Sequence, residues 1–206
     1  MGLKDLPEPA LKISAGNNMK RNLSPALKQQ GFTLIELMMT ITIAIILLSL
    51  AVPSFKSFID SQKLQTTALE FYSAVNMTRA EAIKRGAQVT IAANDGSSWT
   101  SGWTVFVDQN NNARPESKET IVMTRDELAK GIEVSSTMSD NALPYLSYTG
   151  NGRGRTNANS QSPQAGTVSF QLGTAIRRVK VNFLGRVRIC NPAADLNTCD
   201  NNVSGD

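Results

Sequence analysis

The sequence predicts an α+β chain in which one long N-terminal helix packs on a mainly antiparallel β-sheet head. Three observations carry this. An apolar run spans Leu34–Val52, with Glu36 near its front as the single charge. A stripe of apolar side chains at spacings of three and four then continues through residues 54–85. Beyond Gly86, short β-branched and aromatic segments bounded by Gly, Asn, Asp or Ser replace that pattern.

The apolar run is 19 residues long. At about 1.5 Å per residue it is long enough to cross a hydrocarbon core of ~30 Å. Lysine and arginine precede it and none follows until Lys56, so the N-terminal side is expected to stay cytoplasmic. The run ends in "LSLAVPSF" without the small-residue cleavage site of a secretory signal peptide. Pro53 is expected to bend or loosen the helix. In the second half, Leu64, Ala68, Phe71, Val75 and Ala82 form the stripe, widened by Tyr72 and Ile83. Lys63, Glu70, Arg79, Glu81 and Lys84 fall mostly elsewhere, and Gly86 after Lys84 and Arg85 is a C-terminal stop. In the head, "QVTIAA", "GWTVFVD", "ETIVMT", "GIEVSS", "GTVSFQL" and "RRVKVNF" read as strands.

Composition narrows the function. The chain has no histidine, which removes the commonest general base and metal ligand, and only two cysteines, Cys190 and Cys199. No catalytic constellation is present, so the chain is not expected to be an enzyme, and no cofactor is expected. The formal charge of +4 averages unlike segments. Residues 1–31 hold five bases and two acids, and Asp95–Asp140 hold eight acids and four bases. Residues 141–194 hold seven bases and no acid. Such polarity points to an anionic partner for one face; a solvated basic face is the plainer reading.

Glu36 is the sharpest local anomaly, because a carboxylate at bilayer depth costs a few kcal/mol or more and marks a function. The segment around it, "GFTLIEL", resembles the type IV prepilin signal shared by pilins and pseudopilins. The resemblance implies that a membrane peptidase cuts after Gly31 and methylates the new N-terminal residue, Phe32. It implies that Glu36, five residues into the mature chain, meets the terminal ammonium of a neighbouring subunit. Two charges costly alone in a greasy bundle then neutralise one another and fix axial register. Pro53 also stands where pilin helices carry a proline. The implied organisation is a cleaved leader (residues 1–31), a transmembrane and filament-core helix (32–53) and an amphipathic helix (54–86). A β-rich head (87–190) and a disulfide-tethered tail (191–206) follow. A 31-residue leader is long for the family, and Met19 is the more typical start.

"RAEAIKRG", the "GWTVFVDQNNN" stretch and the Gly/Arg-rich C-terminal part narrow the resemblance to the FimT and pseudopilin H class of minor pilins. In a chain that crosses into an oxidising compartment, Cys190 and Cys199 are expected to form a disulfide. It would fix "AIRRVKVNFLGRVRIC". Alternation there places Arg178, Lys180 and Asn182 on one strand face, with Val179, Val181 and Phe183 on the other. Arg186 and Arg188 again share a face. Two strand steps, about 6.6 Å, are comparable to phosphate spacing along an extended nucleic-acid strand. Guanidinium groups also bind phosphate bidentately. Arg153 and Arg155 in "GNGRGR" repeat the pattern on a glycine-rich loop.

DNA-binding FimT-like minor pilins carry a Gly-Arg-x-Arg motif near the C-terminus, matched here by Gly185, Arg186, Val187 and Arg188. The implied function is capture of extracellular double-stranded DNA, independent of sequence, during natural transformation. Arg186 and Arg188 would hold phosphates, supported by Arg177, Arg178, Lys180, Arg153 and Arg155. Other pilin subunits, the prepilin peptidase and the inner membrane are the further implied partners. The head would be periplasmic and then on the pilus of a Gram-negative bacterium. Two alternatives stay open: a structural pseudopilin of a type II secretion system, and an assembly or adhesion pilin without DNA binding. Finally, "DQNNNARPESKE" places Asp108, Asn110, Asn112, Glu116 and Glu119 on a calcium-loop template, with Ala113 where that template needs glycine. An Asn-rich hairpin turn is the other reading.

Overall fold

The computed structural model describes residues 31–157 and 162–203, with the side chains of Leu50, Pro53 and Ser54 outside that set. The leader through residue 30, Met19 included, and the last three residues of the tail lie outside the described residues. The chain divides into two compact units, residues 1–44 and 45–206.

In the first unit the helix α1 (Leu34–Arg85) begins. The Thr33 hydroxyl accepts the Glu36 N–H at 3.3 Å, and the Thr33 carbonyl accepts the Leu37 N–H at 3.1 Å. Thr33 therefore caps the helix and Glu36 sits in the first turn, where an acidic side chain suits the helix dipole. Among the described residues no helix is long and apolar enough to cross a membrane. The run expected to do so, Leu34–Val52, includes Leu50, whose side chain is outside the described set.

The second unit holds the rest of α1, which continues through Pro53, and nine strands. The stripe was legible: Leu64, Ala68, Phe71, Val75 and Ala82 are buried, joined by Ala74 and Thr78. Tyr72 packs against the core from its edge, but Ile83 is exposed. Helix α1 stops where expected. Gly86, at φ +61°, donates to the Ile83 carbonyl, and Ala87 donates to that of Ala82, which is the Schellman arrangement.

Both sheets are antiparallel throughout. The first has the order β3-β2-β1-β5-β6 and comprises β1 (Val89–Ala93), β2 (Trp103–Val107), β3 (Ile121–Arg125), β5 (Tyr145–Tyr148) and β6 (Gly154–Arg155). The second has the order β4-β7-β8-β9 and comprises β4 (Glu133–Met138), β7 (Gly166–Leu172), β8 (Ala175–Val181) and β9 (Val187–Cys190). Phe71 joins helix and sheets: its ring meets Trp99, Trp103 on β2 and Phe170 on β7 edge-on, at centroid distances of 5.0, 5.1 and 5.4 Å. Such contacts add about 0.5–1.5 kcal/mol each beyond area burial. Arg125 on β3 adds an ion pair to Glu70 of α1 at 2.9 Å.

Six strands fall on the segments read as strands, and β9 falls where alternation was read after Gly185. β5 and β6 were not anticipated. Nor does Phe183 extend β8 as expected: β8 ends at Val181, and Phe183 stands exposed in the turn that follows.

Candidate nucleic-acid interface

Alternation along β8 sorts the basic tract into two environments. Val179 and Val181 point into the core, and Arg177 shares their side of the strand. Arg177 therefore reaches α1: its Nε donates to Gln65 Oε1 at 2.6 Å and its Nη2 to Ser61 Oγ at 3.1 Å. This guanidinium ties the sheet to the helix, and it does not join the face carrying Arg178.

Arg178 and Lys180 occupy the opposite face, and the register sets Lys180 beside Arg188 of β9 and Arg178 beside Cys190. Alternation places Arg178 with Lys180, and the β8–β9 register adds Arg188, so the three form one cationic group. The C-terminal loop lies over it. Arg178 donates to the Cys199 carbonyl, Lys180 to Asp200 and, at 3.3 Å, to the Thr198 carbonyl. Arg188 donates to the Thr198 hydroxyl at 2.9 Å and to the Thr198 carbonyl. The expected Cys190–Cys199 disulfide closes this loop. Lys180 is only 4% exposed, so its charge is held by the protein and not by water. Lys180 holds the Asp200 carboxyl below the usual carboxylate range, and Thr198 does the same for Asp195.

Arg153 and Arg186 stand differently. Both are exposed. Each lies on a tight turn: Gly152 donates to the Thr149 carbonyl at 2.8 Å in one, and Gly185 to the Asn182 carbonyl at 2.8 Å in the other. The turns touch through glycine. A β-carbon on Gly185 would lie 2.9 Å from the Gly152 carbonyl oxygen, 3.1 Å from the Gly154 nitrogen and 2.7 Å from the Tyr148 ring. The buried Tyr148 hydroxyl donates to the Gly185 carbonyl at 3.1 Å, pinning the contact. Helix α1 adds Arg79, whose Nε lies 3.3 Å from where a β-carbon on Gly152 would be. No hydrogen bond or ion pair of the Arg79, Arg153 or Arg186 guanidinium is found among the described residues. Arg155 is half-buried on β6 and is engaged. The seven expected cations therefore divide. Arg153 and Arg186 are open on adjoining turns, Arg178, Lys180 and Arg188 lie under the tail, Arg177 is tied to α1, and Arg155 sits in the sheet edge.

Residues 67–185 match the family model described as Type II transport protein GspH, which is more than half of the chain. The chain belongs to that GspH family. A second model, the prokaryotic N-terminal methylation motif, matches residues 27–52 and includes Gly31, Phe32 and Glu36. The pilin-like protein PilA1 of Thermus thermophilus is 28% identical over 162 residues, covering 78% of this chain and 98% of its own. The type IV minor pilin FimU of Pseudomonas aeruginosa has a similar fold, with a TM-score of 0.51 at 16% identity, covering 66% of this chain and 94% of FimU. The minor pseudopilin EpsH of Vibrio cholerae gives 0.47 at 18% identity, over 63% of this chain and 98% of EpsH.

The GspH family comprises minor type IV pilins and type II pseudopilins, structural proteins not known as enzymes, whose members assemble with other pilin subunits. In this GspH-family chain Phe32 is 79% exposed and Glu36 is exposed as well. The 108–119 loop turns Asp108 and Glu119 inward and leaves Glu116 exposed, bonded to the Asn112 side chain at 2.7 Å. Asp108, buried, accepts from the Thr90 hydroxyl at 3.0 Å and from the Asn112 and Ala113 N–H groups at 3.1 and 3.0 Å. Glu119 accepts from the Gln109 and Glu116 N–H groups at 3.0 and 3.1 Å. Ala113 takes φ +57°, the conformation for which glycine is favoured at that position. Among the described residues no group of three or more His, Cys, Asp or Glu is placed to hold a metal ion.

Sequence reasoning missed Arg79, read as part of the helix's polar face, and Tyr148. It also missed Asp195 and Asp200. A signal for the last two was present: residues 191–206 carry three acids and no base, directly after the acid-free tract.

Proposed function

We propose that this protein is a minor pilin that binds double-stranded DNA without sequence preference through Arg153 and Arg186, with Arg79 beside them, in natural transformation. The observation that carries the reading is the pair of exposed guanidinium groups, unpartnered among the described residues, on two turns locked together by glycine contacts. Two turns held by their backbones present the cations without a backbone-ordering cost, and guanidinium binds phosphate oxygens bidentately. No acid lies between Asp140 and Asp195 to compete for them. The N-terminal segment supplies the anchor: a prepilin peptidase removes the leader after Gly31 and methylates Phe32, and the apolar run sits in the inner membrane until assembly. In the filament Glu36 meets the terminal ammonium of a neighbouring Phe32.

The test is a chromosomal Arg153→Ala/Arg186→Ala substitution, scored for transformation frequency and for filaments together. The reading expects transformation to fall at least about tenfold with filament number unchanged. Unchanged transformation discards the DNA role. Loss of filaments moves the weight to the second reading, a structural pseudopilin of a type II secretion system. One observation favours that alternative: five of the seven tract cations are already engaged inside the protein.

A further inference from the structure

We infer that the face carrying Arg178, Lys180 and Arg188 is a second phosphate-binding surface, and that the chain's own residues 195–200 cover it as a tethered stand-in for a nucleic-acid backbone. The inference rests on the DNA reading above and extends it.

The geometry of the covered face is that of an anion site. Arg178 and Lys180 are two strand steps apart, about 6.6 Å, and Lys180 faces Arg188 across the β8–β9 pairing. Three cations on one rigid strand pair thus form a compact charged triangle. Their present occupant is poorly matched to that charge: the tail offers two carbonyl oxygens, a hydroxyl and one carboxylate, Asp200, and Arg178 turns its Nε to the Ser169 hydroxyl of β7 at 3.3 Å. Asp195 acts at one remove, holding Thr198 through its hydroxyl and N–H. A phosphodiester run offers a full negative charge per residue at nearly the same spacing, and is the better complement.

Apart from its bonds to the three cations, the cover is held by the disulfide and by two side chains of β7. The disulfide joins Cys190 at the end of β9 to Cys199, nine residues on. Ser169 and Thr167 of β7 hold Asn201 and the Asn202 carbonyl from the far side. The tail's acid-rich, base-free composition suits a segment whose task is to occupy a basic face. With the loop in place, the surface left for DNA is Arg153 and Arg186. With the loop displaced, the adjoining β9 strand adds Arg188, and β8 adds Lys180 and Arg178.

The experiment uses the full chain in a non-ionic detergent. Two readouts are compared in the oxidised wild type and in Cys190→Ser/Cys199→Ser: the rate at which an amine-reactive ester labels Lys180, and the salt dependence of duplex DNA binding. Opening the loop is expected to speed Lys180 labelling at least about tenfold. It is expected to steepen the slope of log K against log salt by about 2–3, near 0.9 per added phosphate contact. Adding Arg178→Ala and Arg188→Ala to the opened chain must remove that gain. Asp195→Asn/Asp200→Asn loosens the loop with the disulfide intact, and serves should the cysteine variant fail to fold. Its gain must exceed that of Asp126→Asn/Glu127→Gln, which changes the net charge equally. Faster Lys180 labelling with an unchanged DNA slope overturns the covered surface, and so does unchanged labelling. Absence of DNA binding by the wild type overturns the parent reading instead, whatever the opened chain does.

Discussion

The backbone of Gly185 lies against the carbonyl of Gly152, so close that a β-carbon on Gly185 would stand 2.9 Å from the Gly152 oxygen. Through this contact the turn that leads into Arg153 meets the turn that leads into Arg186, one from each sheet. Gly185 also takes φ +75°. Alanine there meets both a backbone penalty and a collision. Gly173, in the β7–β8 turn, has a similar φ of +58° but open space around its β-carbon position. Gly173→Ala should cost about 1 kcal/mol and Gly185→Ala about 2–4 kcal/mol. Thermal unfolding separates them: Gly185→Ala is expected to lower Tm by several degrees more. Equal losses would show that the seam is not tightly packed.

Arg177 should behave as a packing residue. Arg177→Ala removes the bonds to Gln65 and Ser61. It should cost about 1–2 kcal/mol, read in a denaturant titration. The salt slope of DNA binding is expected to stay at the wild-type value. A slope reduced by about 1 would place Arg177 in contact with phosphate instead.

Tail docking should depend on pH in one direction. Lys180 lowers the folded-state pKa of Asp200, and Thr198 lowers that of Asp195. A lowered folded pKa means that the docked tail has its full stabilisation above the ordinary carboxylate range near ~4, and loses it as pH falls through the depressed values. Asp95, in the turn after β1, follows the same sign. The Ser98 and Ser97 N–H groups hold it at about 2, so its contribution fades between ~4 and about 2. Amide resonances of Thr198 and Asp200 are expected to keep their docked positions down to about pH 4 and to shift below it. Positions unchanged to pH 2 would mean that the carboxylates do not hold the loop.

The N-terminus gives a prediction independent of DNA. Mass spectrometry of the protein from assembled filaments should show a chain beginning at Phe32 and one methyl group heavier than its residues require. An intact leader would remove the terminal ammonium that Glu36 is proposed to meet.

Much of the fold was legible because periodicity reports burial. The spacing of Leu64, Ala68, Phe71, Val75 and Ala82 fixed the core face of α1, and Val168 and Phe170 marked β7 to the residue. β5 escaped because it is only four residues long and buries a polar residue, Ser147, in its middle. β6 is two residues long and exists only through its partner. For the site, alternation along β8 separated Arg178 and Lys180 from Val179 and Val181, but it carries no information about what covers each face. That depended on Ser61 and Gln65, more than 110 residues away in sequence, and on the tail folding back. The adjacency of Arg153 and Arg186 rests on glycine contacts between distant turns, which no local pattern encodes.

The most direct measurement is the salt dependence of duplex DNA binding by the full chain, wild type against Arg153→Ala/Arg186→Ala. If these two guanidinium groups hold phosphates, the double variant loses about 2 from the slope of log K against log salt and binds at least about tenfold more weakly near physiological salt. Superimposable curves for the two proteins would contradict it.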